Sequence, residues 1–127
     1  MMNFSIDQEC DLYQLSSVAQ TRQAESEYPL AERILIIGSG VLECTLAIDL
    51  AREGKEVTIL EYSDEILKDC FATSKRTELM RQLEKLVVMI FLENACIKVE
   101  NNLVCLRNEE GFESFLTIDQ LIVRKKL

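Results

Sequence analysis

Hydrophobic residues fall into short runs along the chain, and the first run leads into a glycine turn. Four aliphatic residues, 34–37, are followed at once by Gly38-Ser39-Gly40 and then by an amphipathic segment, 41–52. An unbroken apolar run is typical of a strand that is covered on both faces. The pattern predicts a strand over about 33–37, a tight turn at the glycines and a helix over about 41–52. The residues expected on the buried side of that helix are Leu42, Leu46, Ala47, Leu50 and Ala51.

The run that follows this helix ends in an acidic residue. Gly54 stands where a helix end favours glycine, and Val57–Leu60 is predicted to form the second strand before Glu61. Glu61 lies 23 residues after Gly38, close to the roughly 20 that precede the ribose-binding acid of dinucleotide-binding βαβ units. In such a unit Gly38 permits the turn, and Gly40 lets the backbone approach a pyrophosphate. The helix N-terminus then offers unpaired N–H groups to that anion.

Residue 43 departs from the G-x-G-x-x-G pattern, because Glu43 stands where the third glycine is expected. That glycine normally allows the helix and strand to pack closely beside the phosphate. A carboxylate in the first turn of a helix is also favoured by the helix dipole alone. Two interpretations stay open: the Glu43 carboxylate occupies the place of a phosphate, or it points to solvent.

The middle of the chain continues the alternation of helix and strand. Segment 63–70 is predicted to be a turn with a short helix, and a longer helix is expected over about 74–86. Val87–Leu92 is an unbroken apolar run and predicts a buried parallel strand. The longer helix has a predicted core stripe of Leu79, Met80, Leu83 and Leu86. The cations outside this stripe are interpreted as a solvated face: Arg76, Arg81 and Lys85.

After residue 92 the apolar runs become shorter and partly alternating. Three of them, 96–100, 103–106 and 112–118, are separated by asparagine- and glycine-containing connections and predict an antiparallel three-stranded meander. A last apolar run, 121–123, predicts a final strand. The fold class that follows is α/β, a Rossmann-like three-layer fold with a parallel sheet and an antiparallel β-meander crossover. Its neighbouring parallel strands are expected near 33–37, 56–61, 87–92 and 120–124.

Residues 1–30 have the weakest pattern and are interpreted as a lead-in segment to a Rossmann-like domain at 31–127. Apolar residues at helical spacing predict a short helix in this segment: Leu12, Leu15, Val18 and Ala19. Pro29 favours a break before the first strand. The sequence has neither a signal-peptide pattern nor the roughly 20 apolar residues of a membrane span. We therefore expect a cytoplasmic protein that does not associate with membranes.

Composition narrows the classes of function. The 127 residues carry a net charge of −8, which disfavours binding to nucleic acid and to anionic membrane surfaces. The chain has no histidine, which removes Ser-His-Asp and Cys-His catalysis and most zinc sites, and no metal site is expected. Its cysteines lack C-x-x-C spacing and are expected to be reduced thiols: Cys10, Cys44, Cys70, Cys96 and Cys105.

These motifs resemble a known family. The chain is similar to the NAD(P)H-binding domain of the pyridine nucleotide-disulfide oxidoreductase superfamily, especially in flavoproteins of the dienoyl-CoA reductase and 2-enoate reductase type. Those domains typically read G-x-G-x-x-G-C-E-x-A…G-x-x-V-T-x-x-E, and the resemblance covers about residues 32–123. The residues that match the pattern are Gly38, Gly40, Cys44, Ala47, Gly54, Val57, Thr58 and Glu61.

The chain also departs from the family pattern. Glu43 replaces the third glycine, and Thr45 stands where the family usually has Glu. After the last strand, Arg124-Lys-Lys-Leu127 stands in place of the family's Ala-x-Gly. No FAD-binding half and no redox disulfide is recognised. The expectation is part of a flavoenzyme, truncated at its C-terminal end and not a complete enzyme alone.

The resemblance implies an NAD(H)-binding module that orients the nicotinamide for hydride transfer to a flavin held elsewhere. FAD would belong to a parent or partner chain, and no catalytic residue is implied. The alternative is a degenerate, cofactor-free Rossmann fragment that acts through protein–protein contact or is inactive. An FAD-binding half is disfavoured because residues 62–72 contain no glycine. The implied cofactor-binding residues are Gly38, Ser39, Gly40, Val41, Leu42, Glu61 and Tyr62.

Overall fold

The structure is a computed structural model that describes residues 14–15 and 32–123. Strand β1 (Gln14–Leu15) pairs with a later strand of the main sheet. The helix predicted in the lead-in segment is therefore wrong at these two residues, and the rest of that helix lies outside the described residues. Within the described part of the chain, no helix is long and apolar enough to cross a membrane.

A five-stranded sheet forms the middle layer. Its strands besides β1 are β2 (Arg33–Ile37), β3 (Glu56–Glu61), β4 (Met89–Leu92) and β8 (Gln120–Val123). The order across the sheet is β1-β8-β2-β3-β4. β2 runs parallel to both β3 and β8, and β3 runs parallel to β4, whereas β1 is antiparallel to β8. The four parallel neighbours predicted from the sequence are confirmed.

Two helices and a second sheet cover the opposite faces of this layer. Helices α1 (Val41–Arg52) and α2 (Thr73–Lys85) lie on one face. The other face is covered by the antiparallel meander β5 (Asn94–Glu100), β6 (Leu103–Asn108) and β7 (Glu113–Thr117). Ile34 and Ile36 of β2 pack in the core beneath the helices, while Leu35 and Ile37 pack against the meander. The predicted three-layer α/β fold is confirmed.

Both helices end in the same hydrogen-bonded motif, but the sequence predicts only the end of α1. Gly54 takes the left-handed conformation after α1, and its N–H and that of Lys55 bond back to Ala51 and Leu50 carbonyls. Val87 does the same after α2 with φ of 59°, although valine rarely adopts this conformation. The strand predicted over 87–92 therefore begins only at Met89.

Three predicted details are wrong. α1 buries Glu43, Cys44, Ala47 and Ile48, whereas Leu42 of the predicted stripe is exposed. β4 is an edge strand of the described sheet and not a buried one, since Met89 is 53% exposed. Segment 63–70 forms bends and turns without a helix. For α1 and β4 the predicted element is present, and its position against or within the sheet decided which residues are buried.

Asp119 joins the beginnings of β2 and β8. Its Oδ2 accepts hydrogen bonds from the backbone N–H groups of Glu32 (3.2 Å) and Arg33 (2.9 Å), and the Arg33 guanidinium binds both carboxylate oxygens. The Asp119 N–H donates to the Arg33 carbonyl at 2.7 Å. Asp119 is only 9% exposed. Hydrogen bonds from the Arg33 guanidinium hold the pKa of this carboxyl below its ordinary value.

We expect Asp119→Ala to lower the free energy of unfolding by about 1.5–3 kcal/mol, the range for hydrogen bonds to a charged group. Because the folded protein depresses the Asp119 pKa, this stabilisation is present above about pH 4 and is lost as pH falls through the folded pKa. Asp119→Asn should therefore flatten the acid limb of stability against pH, measured by urea unfolding. Glu110→Gln, at an exposed position, is the control. An unchanged acid limb in Asp119→Asn would contradict the conclusion that the ionised Asp119 carboxylate stabilises the fold.

Candidate functional site

The glycine turn lies at the carboxyl end of β2, in the middle of the parallel strands. Gly38 has φ of +113°, a conformation that favours glycine, and its N–H donates to the Leu60 carbonyl of β3 at 2.9 Å. Gly40 is the N-cap residue of α1 and makes no side-chain cap. The turn therefore presents the N-terminus of α1 at the edge of the sheet where ligands bind in open α/β folds.

The carboxylate of Asp69 lies at this helix N-terminus. The N–H of Val41, the first residue of α1, donates to Asp69 Oδ1 at 3.1 Å and Oδ2 at 3.3 Å. A Cβ added at Gly40 would lie 2.8 Å from Asp69 Oδ2, so a side chain at this position would require the Asp69 carboxylate to move. The first N–H groups of a helix have no partner within the helix and attract anions. Here the protein's own side chain supplies the anion.

Glu43 lies beneath the same turn. It is 4% exposed, so the interpretation in which Glu43 points to solvent is wrong. A Cβ added at Gly38 would lie 3.4–3.5 Å from Glu43 side-chain atoms, and one added at Gly40 would lie 3.0 Å from Glu43 Oε1. The space that a third glycine would leave beside the turn therefore contains a carboxylate.

Glu61 stands at the carboxyl end of β3 and is hydrogen-bonded on both oxygens. Oε1 accepts the hydroxyl of Ser39, and Oε2 accepts the N–H (2.8 Å) and hydroxyl (2.7 Å) of Ser63. Glu61 remains partly exposed, and the neighbouring Tyr62 is exposed. The acid predicted to bind a ribose is thus held in one orientation at the rim of the turn.

The structure brings together most of the residues predicted from the sequence. Gly38, Ser39, Gly40 and Val41 form the turn and the start of α1, Leu42 follows on the exposed side, and Glu61 and Tyr62 adjoin the turn. Sequence reasoning missed Asp69 and Ser63. Asp69 lies in the segment for which a helix was predicted, and no local motif connects it with Val41, 28 positions earlier. Ser63 lies two residues after Glu61, a spacing that permits a local side-chain bond to the backbone.

Two arginines of α2 are paired with groups outside the glycine turn. Arg76 binds Glu65 and the Ile66 carbonyl, and Arg81 pairs with Glu78 one turn earlier in α2. A cleft of about 290 Å³ lies beside the last residue of α1, Arg52, at the opposite end of that helix from the turn. Among the described residues, no group of three Cys, Asp or Glu side chains is placed to hold a metal ion.

Comparison with known proteins identifies the family. Residues 33–109, more than half of the chain, match the family model described as pyridine nucleotide-disulphide oxidoreductase. The chain belongs to this family. The matched region runs from β2 to the turn after β6, so it includes the glycine turn, both helices and Glu61.

Known proteins that resemble this chain do so over only part of their own length. The nitric oxide reductase FlRd-NAD(+) reductase of Klebsiella pneumoniae is 27% identical over 108 residues, which are 85% of this chain and 29% of that protein. A solved 2-naphthoyl-CoA reductase complex matches 81% of this chain and 15% of its own, with TM-score 0.71 and 20% identity. An FAD-dependent pyridine nucleotide-disulphide oxidoreductase from Desulfovibrio vulgaris matches 85% of this chain and 28% of its own, with TM-score 0.59 and 22% identity.

Burial and the nearby acidic side chains act in the same direction on Cys44. Its thiol is fully buried and donates to the Ser39 carbonyl at 3.4 Å. Burial raises the pKa of Cys44 to about 12, and the nearby carboxylates of Glu43, Asp69 and Glu61 act in the same direction. The four described cysteines are free, and Cys44 is the one beside the glycine turn. Because the thiolate is the reactive form, this raised pKa disfavours reaction of Cys44 at neutral pH.

We expect Cys44 to resist alkylation by iodoacetamide at pH 8 in the folded protein, while the partly exposed Cys70 reacts. Peptide mapping after timed labelling measures both rates in one sample. In denaturant both thiols should react at similar rates, which is the control. Equal rates in the folded state would show that Cys44 is neither buried nor surrounded by carboxylates.

Proposed function

We propose that this chain is the NAD(H)-binding module of a flavin-dependent oxidoreductase. It would orient the nicotinamide for hydride transfer to a flavin held elsewhere. The observation that carries the proposal is the Val41 N–H, which donates to a carboxylate at the start of α1 beside two glycines. A backbone donor that binds one anion in this position fits a pyrophosphate at the same position. Family membership and the NAD(+) reductase relative support the same conclusion.

Each site residue has a distinct part in this proposal. The backbone of Gly38, Ser39, Gly40 and Val41 would contact the pyrophosphate, and Glu61 would accept hydrogen bonds from the adenosine ribose. The exposed side chains of Leu42 and Tyr62 would flank the dinucleotide. The nicotinamide, when bound, supplies the hydride, and the protein supplies binding and orientation. We assign no catalytic residue.

Glu61 would also determine the choice between the two nicotinamide cofactors. Its carboxylate is held by Ser39 and Ser63 and remains partly exposed, so its charge would face the 2′ position of the ribose. A carboxylate accepts hydrogen bonds from ribose hydroxyls, whereas it repels a 2′-phosphate. The module should therefore prefer NADH to NADPH, and FAD would be bound by a parent or partner chain.

A second candidate function is a cofactor-free module that acts through contact with another protein or is inactive. The specific observation in its favour concerns the position that a Cβ would take on Gly40. Carboxylate oxygens of both Asp69 and Glu43 lie within 3.0 Å of that position. Both oppose a phosphate at that point by like-charge repulsion. Binding of NADH to the purified chain distinguishes the two candidates directly.

We expect calorimetric titration of the wild-type chain to show tighter binding of NADH than of NADPH. Glu61→Ala should weaken NADH binding by about 1–3 kcal/mol, the range for hydrogen bonds to a charged group. Glu61→Gln should narrow the difference between the cofactors because it removes the charge that repels the 2′-phosphate. Glu56→Ala, an exposed acid at the other end of β3, is the matched control.

Two results would contradict the proposal in different ways. Equal affinity of the wild type for NADH and NADPH would remove Glu61 from the ribose site. If the wild type binds neither cofactor, and circular dichroism verifies that it is folded, the cofactor-free module is favoured instead.

A further inference from the structure

We infer that Asp69 is a built-in occupant of the anion position at the α1 N-terminus, which an incoming phosphate group must displace. Asp69 and Glu43 together would then determine how tightly the chain binds a dinucleotide. This inference rests on the proposed function, because it assigns the pyrophosphate to the same backbone donor.

The competition follows from the shared donor. Val41 N–H donates to both oxygens of Asp69 at 3.1 and 3.3 Å. The space above Gly40 is taken by Asp69 Oδ2, 2.8 Å from an added Cβ, and by Glu43 Oε1 at 3.0 Å. A phosphate oxygen that accepts the Val41 N–H needs the position that Asp69 now occupies. The two acceptors exclude each other by volume as well as by charge.

The backbone of segment 63–70 brings Asp69 to this position. The Leu67 N–H donates to the Ser39 carbonyl at 2.8 Å, which ties the segment to the glycine turn. Leu67 is buried at 1% exposure and has φ of 60°, an uncommon conformation for leucine that the surrounding contacts must maintain. Arg76 of α2 also holds the segment, through Glu65 and the Ile66 carbonyl. The Asp69 carboxylate therefore lies at the helix because the fold positions it there.

Asp69 and Glu43 differ in their freedom to move. Asp69 is exposed, so its side chain can turn away from Val41 while Leu67 stays buried. Glu43 is buried beneath the turn and stays beside any ligand there. Asp69 acts as a displaceable competitor, and Glu43 acts as a fixed negative charge. Removing either charge should tighten binding of an anion, and removing Asp69 should also release the donor.

The test compares binding of inorganic pyrophosphate and of NADH to the full chain and its variants by calorimetry. Asp69→Ala should bind both probes at least about fivefold more tightly, the factor for one unit charge about 4 Å away in surroundings as polar as water. Asp69→Asn keeps the shape of the side chain and one acceptor oxygen. It should therefore show the part of the gain in affinity that is due to the loss of charge. Glu43→Gln should also tighten binding of both probes. Asp49→Asn, an exposed acid on α1 with the same change of charge, should stay within about twofold of wild type.

A second readout does not depend on any ligand. Hydrogen exchange of the Val41 amide should become about tenfold faster in Asp69→Ala, because this amide loses its acceptor. The same amide in Asp49→Asn should exchange as in wild type. Unchanged exchange of Val41 in Asp69→Ala would overturn the inference, whatever the binding data show.

The outcomes separate this inference from the proposed function. If wild type and Asp69→Ala bind NADH with equal affinity, the inference is overturned while the proposed function stands. If pyrophosphate binds more tightly to Asp69→Ala but NADH binds to none of the proteins, the inference is supported and the proposed function fails. If neither probe binds to any folded variant, both are overturned. Asp69→Asn serves the same comparisons where Asp69→Ala does not fold.

Discussion

The double burial of β2 is the constraint on which the rest of the structure depends. This strand pairs in parallel on both sides, and its alternate residues contact the helices and the meander. It therefore lies at the centre of the described layers and ends where Gly38 turns the chain. Because α1 starts at Val41, three residues after Gly38, its N-terminus lies among the carboxyl ends of the strands. Glu61 reaches the same edge because β3 is in register with β2.

The chemistry at this edge follows from unpaired backbone N–H groups and from the negative charge of the chain. The start of α1 has N–H groups without helical partners, and the chain carries a net charge of −8. A carboxylate is thus the most available anion, and Asp69 supplies it. The Val41 N–H, which we propose would bind a dinucleotide pyrophosphate, is already bound by a carboxylate of the protein itself. In this view the site is an anion site with an internal occupant, and its affinity for an external phosphate depends on the cost of removing Asp69.

Much of the fold follows from the sequence, because each parallel strand contains a run of apolar or β-branched residues and Gly54 marks the end of α1. The end of α2 could not be predicted, since Val87 takes a conformation that glycine usually adopts. Burial of Glu43 was not predicted because it depends on how α1 rotates against the sheet. The contacts of Asp69 with Val41 and of Asp119 with Arg33 join residues that are far apart in the chain. Such contacts depend on the assembled fold, which no local pattern contains.

The central claim, that this chain binds NAD(H) at the start of α1, is tested most directly by an amide ¹H–¹⁵N titration with NADH. The account predicts that the largest shifts occur at Gly38, Gly40, Val41 and the segment that contains Asp69, with smaller shifts near Glu61. The amides beside Arg52 and Lys85, at the far end of the helices, should remain unchanged. Shifts confined to that far end, or an absence of shifts at saturating NADH, would contradict the account.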